Sequence, residues 1–303
     1  ARKQRLLPKD VVLGASLVDM YAKCGALEKA RKVFEQLPMR SVVSWTSLMA
    51  GYADHGLYDE ALKCFEQMRV EGVCPDAVTY ACILKACSII GSLTIGEDID
   101  FEVRQNGLLQ KDAILGASVV DMYSKCGALE KAWKVFEQLP MRDVVSWCAL
   151  MGGYGHLGEA KVVLDMFGEM RREGIMPDLV TFRVLLTACS HAGLVREGER
   201  LFDDMCVVYS LDPTLEHYTC MIDLFGRAGH FDKVKELLGK VSSSHHLPLF
   251  LATLSACHKW MNVTLGKWAF EQSVELDAKC TPAYICMQNI YAATSLQREV
   301  DEV

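Results

Sequence analysis

Residues 11–43 read VVLGASLVDMYAKCGALEKARKVFEQLPMRSVV, and residues 113–145 read AILGASVVDMYSKCGALEKAWKVFEQLPMRDVV. Twenty-seven of these 33 aligned positions are identical, at an offset of 102 residues. Self-similarity at a fixed spacing marks an architecture of stacked copies of one unit. The spacing also subdivides. VVSWTSLMAGYADHG opens at Val42 and VVSWCALMGGYGHLG at Val144, while VTYACILKACSIIGSL opens at Val78 and VTFRVLLTACSHAGLV at Val180. The 102 residues therefore fall into units of 31 (Val11–Ser41), 35 (Val42–Asp76) and 36 (Ala77–Asp112). A second triplet follows: Ala113–Asp143, Val144–Asp178 and Leu179–Thr214.

Each unit reads as two antiparallel helices. In the first, Leu13, Leu17, Met20, Tyr21 and Cys24 form an apolar stripe at helical spacing, and Gly25 breaks it. Leu27, Ala30, Phe34 and Leu37 form a second stripe, stopped by Pro38. The second unit repeats the pattern with Trp45, Leu48, Met49 and Tyr52, then Tyr58, Ala61, Leu62 and Phe65, with Gly56 between and Gly72 and Pro75 closing it. One helical hairpin cannot bury its apolar face alone. Stacked hairpins can, which predicts an all-α solenoid whose Met, Trp and aromatic stripes are mostly inter-repeat core.

Composition is compatible with this. Apolar residues make up 51 % of the 303 and charged residues 23 %, enough apolar surface to exclude disorder. The net charge is −7, which argues against a uniformly basic nucleic-acid binder and requires any phosphate contacts to come from local Lys or Arg. None of the 13 cysteines forms C-x-x-C, and Cys24/Cys126 and Cys87/Cys189 recur at matching repeat positions. Such cysteines read as small core residues in a reducing compartment, with free thiols. No apolar run reaches the roughly 18 residues of a membrane span, and no signal peptide is visible. The absence of an initiator Met suggests a true N-terminus, with any targeting segment, outside this chain.

The units carry a family resemblance. VVSWTSLMAGYADHGLYDEALKCFEQMRVEGVCPD at Val42–Asp76 resembles a P-type pentatricopeptide motif, AVTYACILKACSIIGSL an L-type motif, and LGASLVDMYAKCGALEKARKVFEQLP an S-type motif. The W-x2-L-G-x2-Y signature of tetratricopeptide repeats is missing. The order S, P, L, S, P, L, S resembles the PLS subclass of plant organellar proteins. LEHYTCMIDLFGRAGHFDKVKELL (215–238) is similar to its final S-type motif, LATLSACHKWMNVTLGKWAFEQSVELD (251–277) to the first E motif, and AYICMQNIYAA (283–293) to the start of the second. The implied organisation is a truncated L-type tail at 1–10, seven repeats over 11–246, a first E-type repeat at 247–280 and a truncated second at 281–303. The implied fold is a right-handed superhelical solenoid.

The resemblance further implies a reader of single-stranded RNA, one base per repeat. The fifth and last residues of each unit would address the base edge. The pairs are Ala15 with Ser41, Thr46 with Asp76, Ala81 with Asp112, Ala117 with Asp143, Cys148 with Asp178, Arg183 with Thr214, and Thr219 with His246. The second residues, Val12, Val43, Val78, Ile114, Val145 and Val180, would sandwich the ring; ordinary helix-start residues are the competing reading. Thr46/Asp76 matches a pair that the family associates with guanine, whose N1 and N2 donors suit an acceptor-only carboxylate. The other pairs depart from the family's code, and the terminal aspartates read equally as helix caps.

Proteins with this motif order resemble site-recognition factors for cytidine-to-uridine editing in mitochondria or chloroplasts. A zinc deaminase needs H-x-E and P-C-x-x-C; neither occurs here, nor a G-x-x-x-x-G-K phosphate loop. The expectation is therefore a chain with no catalytic site, cofactor or metal, binding single-stranded RNA, with a deaminase beyond Val303 or supplied in trans with other editing proteins. His55 and His156 fall in inter-helix turns, and the His245–His246 doublet reads as a solvated loop. The competing function is a protein-interaction scaffold without direct RNA reading.

Overall fold

The computed structural model describes residues 11–241 and 247–294. Among them are seventeen α-helices and no strand. The chain divides into two compact units, 1–153 and 154–303.

In the first unit the helices are α1 (Val11–Lys23), α2 (Leu27–Glu35), α3 (Val42–Asp54), α4 (Tyr58–Val70), α5 (Ala77–Ile90), α6 (Leu93–Gln105), α7 (Ala113–Lys125) and α8 (Leu129–Glu137). The division falls within α9 (Val144–His156). The second unit continues with α10 (Ala160–Arg172), α11 (Leu179–Ala192), α12 (Val195–Val207), α13 (Leu215–Ala228), α14 (Phe231–Lys240), α15 (Leu247–Trp260), α16 (Val263–Leu276) and α17 (Thr281–Ala293).

Both units have the same layering. First helices stack on one another, α1 on α3, α3 on α5 and α5 on α7 in one unit, and α11 on α13, α13 on α15 and α15 on α17 in the other. Within each unit the second helix of a pair lies against its own first helix, as in α1–α2, α3–α4, α5–α6, α7–α8, α11–α12, α13–α14 and α15–α16, and α2, α4, α6, α10, α12 and α16 also pack on the first helix that follows them. This is the helix-pair solenoid architecture that the repeats predict.

The stacking depends on small residues. A Cβ placed on Gly51 of α3 would lie 2.5 Å from Ala22 Cβ and 3.1 Å from Ala22 Cα of α1, so only glycine lets these backbones approach. Large side chains fill the wedge behind. Trp45 is fully buried edge-on to Phe34, ring centroids 4.5 Å apart, and Trp147 repeats this with Phe136 at 4.7 Å. Truncating either Trp to Ala would cost roughly 3–5 kcal/mol.

One expected stripe is corrected. Leu13 and Met20 of α1 are exposed, and that helix buries Gly14, Ala15, Val18 and Ala22 instead. The near-identical stripe of α7 is buried, with Leu115, Val119, Met122 and Tyr123 all covered. The difference is position in the stack: α7 has α5 and α6 against it, whereas α1 has no described neighbour on its upstream side. Cys24 is likewise exposed, while Cys87 and Cys189 are fully buried. None of the thirteen cysteines is in a disulfide.

Candidate nucleic-acid interface

The last residue of each unit sits where the chain turns into the next first helix, and there it is an N-cap. Ser41 caps α3, Asp76 α5, Asp112 α7, Asp178 α11 and Thr214 α13, all with extended backbone. Asp143 plays the same part, its Oδ1 accepting from Ser146 N at 2.8 Å. An N-terminal turn leaves N–H groups without helical partners, and a short acceptor side chain satisfies one of them. Capping does not exhaust the carboxylates. In Asp76, Asp112, Asp143 and Asp178 the cap uses Oδ1 alone, and Oδ2 has no hydrogen-bond partner among the described residues.

Val12, Val43, Val78, Ile114 and Val145 in the first unit, and Val180 in the second, are 45 to 75 % exposed. Six β-branched side chains at one register, all exposed, are not core residues.

The fifth residues are less uniform. Ala15, Ala117 and Cys148 are buried, whereas Thr46, Ala81, Arg183 and Thr219 are partly exposed. The Thr219 hydroxyl is committed to the Leu215 carbonyl of its own helix at 2.9 Å. His246 lies outside the described residues. Thr46 Oγ1 is 2.7 Å from Thr79 Oγ1, and Thr79 Oγ1 donates to Asp76 Oδ1 at 2.7 Å. The two residues of the Thr46/Asp76 pair are therefore joined through a third.

In the second unit, Val180, Arg183 and Thr214 converge with Leu179, Leu215, Glu216 and His217 around an open cavity of about 360 Å³. Arg183 Nε lies 3.1 Å from Glu216 Oε2. His217 is buried, its Nε2 2.8 Å from the Leu179 carbonyl and its Nδ1 2.7 Å from Thr214 Oγ1. Burial holds its pKa below the usual histidine value. Sequence reading did not single out Thr79, Glu216 or His217. Their signal was a polar residue two or three places after a capping residue, which reads locally as nothing more than helix-start chemistry.

From α1 to α13 every cation on a first helix is paired with a first-helix carboxylate. In the first unit these are Lys23 with Asp19 and Lys125 with Asp121, both at 2.8 Å, and Lys85 with Asp54 at 3.4 Å. In the second they are Arg183 with Glu216 and Arg227 with Asp223. This layer is locally neutral rather than basic. Among the described residues no cluster of three or more His, Cys, Asp or Glu could hold a metal ion, and no helix is long and apolar enough to cross a membrane.

A layer of paired helices with capping acceptors and exposed aliphatics at one register defines a class of helical-repeat protein, and the known proteins it resembles are consistent with one another. A PPR repeat family model matches residues 40–88 and 142–191, and a PPR repeat model matches 16–42, 118–144, 180–207 and 216–245. The chain belongs to the pentatricopeptide-repeat family. One pentatricopeptide repeat-containing protein of Arabidopsis thaliana is 42 % identical over 294 residues, covering 97 % of this chain and 45 % of the relative. Another, named as mitochondrial, is 37 % identical over 289 residues, covering 95 % of this chain and 52 % of its own length. The chain thus spans about half the length of the curated relatives it matches. The fold is that of the pentatricopeptide repeat protein PPR10 solved with an 18-nt psaJ RNA element, with a TM-score of 0.75 at 16 % identity over 99 % of this chain and 45 % of that one.

Proposed function

We propose that this chain is a single-stranded RNA-binding array that reads bases through the fifth and last residues of its repeats. The observation that carries this reading is the exposed row of β-branched second residues beside capping carboxylates that each keep one oxygen free. A stiff aliphatic wall suits the face of a splayed base, and a free acceptor suits its edge. Residues 11–246 then act as seven repeats in S-P-L-S-P-L-S order, and the pairs α15–α16 and α17 onward as E-type repeats. On that assignment the chain is the recognition segment of an organellar factor for cytidine-to-uridine editing, in mitochondria or chloroplasts. It chooses the site, and a deaminase, with any other editing proteins, acts from beyond this segment or in trans.

The neutral first-helix layer favours a second reading, a protein-interaction scaffold, because phosphate contacts need unpaired cations. Filter binding separates the two. The RNA reading expects random single-stranded RNA to bind in preference to double-stranded RNA, with a shallow salt dependence because few phosphates are neutralised. Equal or absent binding of both would leave the scaffold.

A further inference from the structure

Thr79 is the third residue of the unit that follows Thr46 and Asp76, and it is completely buried. Its backbone N–H donates to Asp76 Oδ1 at 2.8 Å, the helix cap. Its hydroxyl lies 2.7 Å from that same oxygen and 2.7 Å from Thr46 Oγ1. A hydroxyl has one hydrogen and two lone pairs, and a carboxylate can only accept. The Thr79 hydrogen therefore goes to Asp76, and burial denies that hydroxyl a water to turn to instead. What Thr79 shows Thr46 is a lone pair, so the hydrogen of Thr46 must go to Thr79.

The consequence lies on the open side of the pair. Thr46 retains only lone pairs to offer a ligand, and Asp76 offers Oδ2, also an acceptor. Of the four RNA bases only guanine carries two adjacent donors, N1–H and N2–H, on its Watson–Crick edge. Adenine and cytosine each set an acceptor beside a single donor group, and uracil sets one donor between two acceptors. We infer that Thr79 is a specificity-determining residue: by fixing the direction of the Thr46 hydroxyl it makes this repeat an acceptor–acceptor slot that takes guanine and rejects adenine. This rests on the RNA-reading function proposed above and adds a residue of the neighbouring repeat to it.

Other repeats show that the arrangement is a choice. Beside Ala81/Asp112 the corresponding residue is Leu115, which has no hydroxyl. At Asp143 the Ser146 hydroxyl donates to the backbone carbonyl, at 2.9 Å, and not to the carboxylate. His217 applies the same logic to Thr214. With Nε2–H donating to the Leu179 carbonyl, Nδ1 accepts the Thr214 hydrogen and leaves Thr214 an acceptor.

The test measures base preference in the whole chain with a pool of single-stranded RNAs randomised at every position, for the wild type, Thr79→Val and Thr79→Ser. Valine keeps the buried volume and the backbone cap but frees the Thr46 hydrogen to donate to adenine N1. Serine keeps the relay. The wild type and Thr79→Ser should favour guanine over adenine at one nucleotide by about tenfold or more. In Thr79→Val the ratio should fall to within about threefold while preferences elsewhere stay unchanged. Thr79→Ala is the replacement should valine prove poorly folded by thermal unfolding. A guanine preference that survives loss of the hydroxyl overturns the inference and leaves the RNA-reading function standing, as does a uniform loss of affinity for all bases. A wild type without base preference overturns both.

Discussion

Arg183 of the sixth repeat and Glu216 of the seventh are held together across the mouth of a cavity, Nε to Oε2 at 3.1 Å, and Glu216 stands where the earlier units have an exposed valine or isoleucine. The pair is half exposed, so its contribution to stability is below about 1 kcal/mol. Its effect on a ligand should be larger, because it places a carboxylate beside a base and neutralises a cation that could meet phosphate. Glu216→Val should raise affinity for single-stranded RNA by roughly threefold to tenfold at low salt and steepen the salt dependence. Fluorescence anisotropy at two salt concentrations checks this, and unchanged affinity would remove the sixth repeat from the binding face.

Capping and base reading separate at Asp112. It caps α7 through Leu115 N at 3.0 Å, but its partner at the fifth position is Ala81, which has no polar side chain. Asp112→Ala should lower stability by about 0.5–2 kcal/mol and weaken the preference at its own nucleotide less than Asp76→Ala does, because Asp112 Oδ2 acts there without a polar fifth-position partner. Asp76→Ala should show a similar loss of stability and also lose a base preference at one nucleotide. Urea unfolding and pool selection on the same two variants measure both effects.

Helical glycines divide into two kinds. Gly51→Ala would push a methyl into the Ala22 backbone of the neighbouring first helix and should destabilise by about 1–3 kcal/mol. Gly168, within α10, has open space where its Cβ would stand, and Gly168→Ala should stabilise by about 0.5–1 kcal/mol through helix propensity alone. Opposite shifts of the urea midpoint are the expected result.

The contrast with what the sequence alone conveys is physical. Helix starts are legible because capping is local: Asp178 and Thr181 are three residues apart, and their reciprocal bonds are written in the order of the residues. Burial of a stripe is not local. Leu13 and Leu115 sit in nearly identical segments, yet one is exposed and the other covered, because a repeat's environment comes from the unit before it. The candidate site has the same property. Thr46 and Thr79 are 33 residues apart, as are Arg183 and Glu216, and no pattern within one repeat reveals that the next will complete its slot.

Thiols give a pH-dependent prediction. Burial pushes Cys64 and Cys189 up to about 11, and Cys87 and Cys257 to about 12. The folded chain therefore favours the neutral thiol relative to the unfolded chain, whose thiols titrate near about 8.5. The stabilisation is fully present below that value and is lost as pH rises through the folded values. The urea midpoint should fall between pH 8 and pH 11, and fall less in a Cys87→Ala, Cys257→Ala double variant. In the native chain the exposed Cys24 and Cys74 should label first, and the denatured, unreduced chain should yield close to 13 reactive thiols. A deficit reversed by a chelator would reveal a bound metal.

Thr46→Asn should change which base its repeat prefers. Threonine at this position offers lone pairs, and Asp76 Oδ2 offers another, so the wild-type slot needs two donors from the base. Asparagine brings an amide N–H that can reach a uracil carbonyl, while Asp76 accepts from the uracil N3–H. The amide oxygen is free to turn away from the base, so the guanine advantage is lost as the uracil contact forms. A well-made base contact is worth roughly 1–3 kcal/mol of discrimination by analogy with groove readout, so the swing from guanine to uracil should exceed about tenfold. The cap of α5 is untouched, because Thr79 N still donates to Asp76 Oδ1; the change exchanges only the hydrogen bond to the buried Thr79 hydroxyl, so the loss of stability should stay within about 1.5 kcal/mol. Selection from a randomised RNA pool before and after the change reads the result at the nucleotide that Thr79→Val also affects. If the profile at that nucleotide does not move, Thr46 and Asp76 do not address a base in this register, and the protein-interaction scaffold becomes the better reading of the chain.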